Sequence, residues 1–116
     1  MNNESMNSDR ADEGQSVWRQ RVAAFMRRHH LRHDPATHAL GLVSEVGEVA
    51  KEVLLATGYG RRAPQFRPEL ADELGDALYS LLALAEACGV DADGALSAAL
   101  EKYEHRLAER GGAGSE

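Results

Sequence analysis

Residues 69–88, ELADELGDALYSLLALAEAC, set the tightest limit on what this chain can fold into. At about 100° per residue, Glu69, Asp72, Glu73 and Asp76 form one helical stripe. The same face continues as Ser80, Ala83, Leu84 and Ala87, while Leu70, Leu74, Leu78, Leu81 and Leu82 cover the opposite side. The second half is therefore apolar nearly all round, as in a helix with neighbours on every side. Acids on the continuation of a packed face lean inward. The helix dipole accounts for Glu69 and Asp72 in the first turn, but it fades before Asp76.

The rest of the chain supplies partners of the same kind. Trp18, Val22, Phe25 and His29 recur at helical spacing, with Ser16 as a cap and Arg19, Arg21, Arg27 and Arg28 on the other face. Asp34 caps and Pro35 opens a second helix that runs to about Thr57, where Gly58 ends it. Residues 58–64, GYGRRAP, form a loop, and Pro68 opens the third helix, which ends at Gly89. Asp91 or Asp93 caps a fourth helix with an apolar seam of Leu96, Leu100, Tyr103 and Leu107. No strand pattern occurs, so the class is all-α, a four-helix bundle. Residues 1–15 read as a polar, disordered arm, 16–110 as the helical domain, and 111–116 as a flexible tail.

Bulk properties exclude several functions. A net charge of −6 leaves no basic excess for gripping a nucleic-acid polymer. The longest apolar run, Leu81 to Ala85, is far too short for a membrane span, and the N-terminal residues lack the apolar core of a signal peptide. The single cysteine, Cys88, cannot form an internal disulfide, which suits a cytoplasmic protein, and it reads as a buried, inert thiol. His29, His30, His33 and His38 straddle a helix end and the Asp34-Pro35 turn, without the two-on-one-face arrangement of a zinc helix. Trp18 reads as a core residue, with stacking on a base as the alternative.

The second helix carries Glu45, Glu48 and Glu52 opposite Val43, Val46, Ala50 and Val53. Taken alone, this pattern describes an acidic face in solvent. The inward lean of the third helix changes the reading: Glu45 and Glu48 are expected to face Glu73 and Asp76. Carboxylates about 5 Å apart in an effective dielectric of about 20 repel by about 3 kcal/mol per contact, so such a cluster needs protons or a cation. Oxygen ligands without Cys or His suit hard ions, Mg²⁺ first, with Mn²⁺ or Ca²⁺ as alternatives. A di-iron bundle would use Glu-x-x-His, which neither helix contains.

Glu45-Val-Gly-Glu48 followed by Glu73-Leu-Gly-Asp76, in the contexts SEVGEVAKEV and ELADELGDALYSLLALA, resembles the MazG-like all-α nucleoside triphosphate pyrophosphohydrolases. The resemblance extends from about Trp18 to Leu107. It implies that Glu45, Glu48, Glu73 and Asp76 bind Mg²⁺, and that the α–β linkage of a nucleoside triphosphate is hydrolysed to a monophosphate and pyrophosphate. It further implies that Lys102 and Arg106, matching the family's K-x-x-x-R, hold phosphates, with Arg61 and Arg62 as lesser candidates. A homodimer or tetramer, in which protomers complete one another's bundles, also follows from it. Some members carry a glutamate just before the first metal ligand as general base, and this chain has Ser44 there. Either Glu48 or Glu52 orients the water, or the metal alone activates it. The asparagine often found between the family's two basic residues is also missing: Tyr103, Glu104 and His105 lie between Lys102 and Arg106. Ser44 keeps a second function in play, a non-catalytic, dimeric nucleotide-sensing or adaptor module of the same fold.

Overall fold

The computed structural model describes residues 14–110, so most of the expected N-terminal arm and all of the expected tail lie outside the described residues. Four helices follow in order: α1, Val17–His29; α2, Pro35–Ala56; α3, Glu69–Cys88; and α4, Ala92–Arg110. The described residues contain no strand.

Local chemistry sets each boundary. Ser16 Oγ accepts a hydrogen bond from the Arg19 backbone N–H at 3.2 Å, and Asp34 Oδ1 accepts one from Thr37 at 2.9 Å, each filling an orphan donor of a first helical turn. The Asp34 carboxyl is held below its usual value chiefly by that Thr37 bond. At the end of α3, Gly89 adopts φ +68°, a left-handed conformation that suits glycine, and its N–H closes onto the Ala85 and Glu86 carbonyls. Asp91 Oδ1 then accepts from the Gly94 N–H at 3.1 Å and starts α4.

Helices α2 and α3 form the packed hairpin of the molecule, and α1 lies against α3. The hairpin is antiparallel. Glu45 lies beside Glu73 and Asp76, while Glu52, two turns further along α2, meets Arg67 just ahead of α3. Fully buried apolar residues are small or flexible: Ala23 and Met26 of α1, Ala56 of α2 and Ala83 of α3. Helix α4 packs broadly on none of the other three. It is tied to the start of α1 by polar contacts, in which the Ser16 N–H donates to Asp93 Oδ2 at 2.9 Å and Arg19 Nη1 to Asp91 Oδ1 at 2.8 Å.

Several expectations are corrected by this packing. Trp18 is not a core residue; it is 60% exposed and lines the open groove between α1 and α3, while Phe25, further along the same stripe, meets Tyr79 of α3 edge-on. Cys88 is exposed, since it is the last residue of α3 and α4 does not fold back over it. In α2, by contrast, the valine side is the open one, as acids turned toward α3 require: Val43 is 70% exposed, whereas Glu52 is only 7% exposed. Leu74 and Leu81 of α3, and the whole α4 seam, are likewise exposed within the protomer. The radius of gyration, 17.9 Å, exceeds the roughly 13 Å of a compact chain of about 100 residues, as an open arrangement of helices requires.

With so few buried side chains, each one matters. Met26→Ala should cost about 2–5 kcal/mol in urea unfolding, the range for truncating a buried long aliphatic residue. Gly89→Ala should cost about 1 kcal/mol, because it forces a side chain into a left-handed position.

Candidate metal centre

Glu45 on α2 and Glu73 and Asp76 on α3 each direct a carboxylate oxygen to a common point, the three oxygens lying within 4.8 Å of one another. The helical repeat explains the convergence: residues three apart share a face, and the antiparallel hairpin turns the two faces together. Glu45 and Glu73 are half-buried and Asp76 is exposed, so the cluster sits at the edge of the α2–α3 interface, open on one side.

Glu48, one turn beyond Glu45, is exposed and stands outside this tight trio. It is nonetheless close enough to influence it. Burial raises the Glu73 carboxyl above its ordinary value, and the charges of Glu48, Asp76, Glu45 and Glu52 raise it further, in that order. Glu73 therefore sits where a positive charge is wanted. The donor set is all carboxylate oxygen, without histidine or cysteine, and it fits a hard divalent cation.

Glu52 has a different environment from the other acids. Arg67 donates to it twice, Nε to Oε1 and Nη2 to Oε2, both at 2.7 Å. These bonds hold the Glu52 carboxyl below its ordinary value, and they raise Arg67 in turn. Arg67 also lies 3.8 Å from Glu69. Sequence reasoning missed Arg67; its position six residues before Glu73, at the threshold of an acidic helix, was the available signal.

The expected phosphate ligands are not brought to the acids within the protomer's packed interfaces. Lys102 and Arg106 lie on α4, which has no broad contact with α2 or α3, and neither makes an ion pair among the described residues. Lys102 Nζ lies 5.2 Å from the centre of the Tyr103 ring. In the α2–α3 loop, Arg62 Nη2 donates to the Leu55 carbonyl at 2.9 Å and so braces the end of α2. The histidines serve the α1–α2 turn: His38 Nε2 accepts from the His33 N–H at 3.0 Å. A groove of about 670 Å³ runs between α1 and α3, lined by Trp18, Arg21, Phe25, Gly75 and Tyr79 among others. None of the cluster carboxylates lines it.

The two perturbed glutamates have opposite linkage to pH. Glu73 holds its proton more tightly folded than unfolded, so its contribution to stability falls as pH rises through its raised value. Glu52 is the reverse; the stability it adds is present above its ordinary value and is lost as pH falls through its lowered one. Carboxyl NMR titration of the metal-free protein should find Glu73 above and Glu52 below a free glutamate, and saturating Mg²⁺ should pull Glu73 down. A Glu73 that titrates at or below the free value would contradict this account of the cluster.

The MazG nucleotide pyrophosphohydrolase domain model matches residues 33–110, about two thirds of the chain, and includes every carboxylate of the cluster together with Lys102 and Arg106. No curated protein and no solved structure gives a significant match. Among the described residues no helix is long and apolar enough to cross a membrane. With the family model spanning α2, α3 and α4, and with an all-helical fold beneath it, the chain belongs to the MazG nucleotide pyrophosphohydrolase family.

Proposed function

We propose that this chain is a Mg²⁺-dependent nucleoside triphosphate pyrophosphohydrolase that cleaves the α–β phosphate linkage of a ribo- or deoxyribonucleotide, releasing the monophosphate and pyrophosphate. The observation that supports this most is the convergence of Glu45, Glu73 and Asp76 across the α2–α3 hairpin, in a chain of this family. Those three, with Glu48, would hold the cation, with Mn²⁺ as an alternative to Mg²⁺. When bound, it neutralises phosphate charge and lowers the pKa of a coordinated water.

The protein groups divide the remaining work. Glu48 is our choice for the carboxylate that orients the attacking water and accepts its proton, because it is exposed and adjoins the trio. Ser44 has no group able to do this at neutral pH. Glu52, read from sequence as the other candidate base, has both oxygens engaged by Arg67 and a depressed proton affinity, so we assign it a supporting role. Lys102 and Arg106, which α4 does not bring to the acids of its own protomer, would supply positive charge to the departing phosphates from a neighbouring copy. The groove along Trp18, Phe25 and Tyr79 has the size and aromatic lining for the nucleoside part.

The bare apolar faces of α2, α3 and α4 support a homo-oligomer, a dimer or tetramer, as the working form. A cytoplasmic role in clearing surplus or noncanonical triphosphates fits this chemistry.

The decisive assay incubates purified protein with Mg²⁺ and a panel of NTPs and dNTPs. Pyrophosphate should appear, and Glu73→Gln and Glu48→Gln should each lower kcat by about 100-fold or more. Orthophosphate as the product, or turnover that survives both substitutions, would sink the proposal. Mg²⁺-dependent nucleotide binding without hydrolysis would favour the adaptor reading.

A further inference from the structure

Glu52 is the single buried charged residue among the described residues, and its partner is in the connection between the two acidic helices. A buried carboxylate is strongly disfavoured unless it is paired and hydrogen-bonded. Here the two parallel N–H···O bonds from Arg67, both 2.7 Å, meet that requirement in the geometry peculiar to a guanidinium. We infer that Arg67 is a positioning residue for the acidic cluster, acting through Glu52 to fix the register of α3 against α2.

Glu52 lies seven residues beyond Glu45, two helical turns or about 10 Å along α2. Arg67 lies two residues before α3 begins, with Glu73 in the second turn of that helix and Asp76 in the next. Pinning Arg67 to Glu52 therefore fixes where α3 starts relative to α2, and with it where Glu73 and Asp76 fall relative to Glu45. The far side of the connection is anchored separately. Arg62 N–H donates to the Thr57 carbonyl at 3.1 Å and Gln65 N–H to the Ala56 carbonyl at 2.9 Å. These bonds hold the loop to the end of α2, and the first turn of α3 closes onto its own start, Leu70 N–H donating to the Arg67 carbonyl at 3.0 Å and Ala71 N–H to the Pro68 carbonyl at 3.1 Å. Pro68, the N-cap of α3, makes no side-chain capping bond, and the Arg67 side chain ties this helix start to α2 through Glu52.

The pair has an electrostatic consequence as well. Glu52 contributes to the negative field on Glu73, and Arg67 sets a positive charge against it. The cluster thus keeps its negative field for a cation without adding another unneutralised carboxylate beneath it. Arg67 is itself half-exposed, with a side-chain exposure of 55%, so direct contact with a substrate phosphate is the rival role that an experiment must separate.

The inference rests on the reading of Glu45, Glu73 and Asp76 as cation ligands, and the test has a readout that does not depend on it. Amide hydrogen exchange on the metal-free protein should show Arg67→Gln losing about tenfold protection across residues 69–76, with the second half of α3 unaffected. Calorimetry with Mg²⁺ alone should show the dissociation constant rising several-fold. Steady-state kinetics should show kcat falling while the nucleotide KM changes less than about twofold, as expected of lost positioning without lost substrate binding. Arg67→Lys, which keeps the charge but not the two-pronged bond, should restore only part of each effect. If Arg67→Gln fails to fold, Arg67→Lys carries the test. Unchanged protection with unchanged Mg²⁺ binding would overturn the inference. A rise in KM alone would also overturn it and identify Arg67 as a substrate contact. If the wild-type protein bound no Mg²⁺ yet the variant lost the same protection, the metal reading would fail and the positioning role would stand.

Discussion

Everything in this fold turns on carboxylates packed where carboxylates repel. Helices α2 and α3 could have met through their valine and leucine faces and left their acids in water. They meet instead with Glu45, Glu73 and Asp76 drawn together and Val43, Val46 and Leu74 turned outward. Hydrophobic burial alone favours the opposite orientation, since each apolar side chain moved out of water contributes on the order of 1.5–3 kcal/mol. An arrangement that gives up that gain within the protomer needs two compensations: a cation between the acids and a cover for the apolar faces. The first is the proposed Mg²⁺, the second the proposed further copy of the chain.

The fold manages this repulsion by treating its acids unequally. Glu52 is neutralised internally by Arg67, Asp93 is held by Ser16 and Arg19, and Asp34 is spent on capping α2. Glu73 has no such partner among the described residues and is left with a raised proton affinity among four other carboxylates. Asp72, Glu101 and Glu104 likewise make no ion pair among the described residues; the cluster differs from them in that its oxygens converge to within 4.8 Å of one another around a half-buried Glu73.

Much of this was legible in the sequence, and what was not has physical reasons. Breakers and caps at Asp34-Pro35, Gly58, Pro68 and Gly89 are local signals, and the helices begin and end within a residue or two of them. The partial burial of Glu73 was readable because its face turns apolar two turns later, whereas Asp76, on the same face, stays exposed at the open edge of the interface. The exposure of Trp18 was not readable: it lies on the stripe that brings Phe25 against Tyr79, and periodicity alone does not say how far along a stripe the packing extends. Cys88 and the α4 seam were misjudged for one reason, that hydrophobic periodicity says a face will be covered but not by which chain. Arg67 escaped notice because its partner is distant in sequence, and a lone arginine in a loop carries no periodic mark.

The central claim is that the α2–α3 carboxylates form one cation site. Mn²⁺, which shares the ligand preference of Mg²⁺ and broadens nearby nuclear resonances, tests it most directly. Titrated into the wild-type protein without nucleotide, it should saturate, be displaced by Mg²⁺, and broaden the side-chain signals of Glu45, Glu48, Glu73 and Asp76 before any others. Weak, unsaturable broadening spread over Glu69, Asp72, Glu101 and Glu104 as much as over those four would contradict it and mark the acids as a plain charged surface.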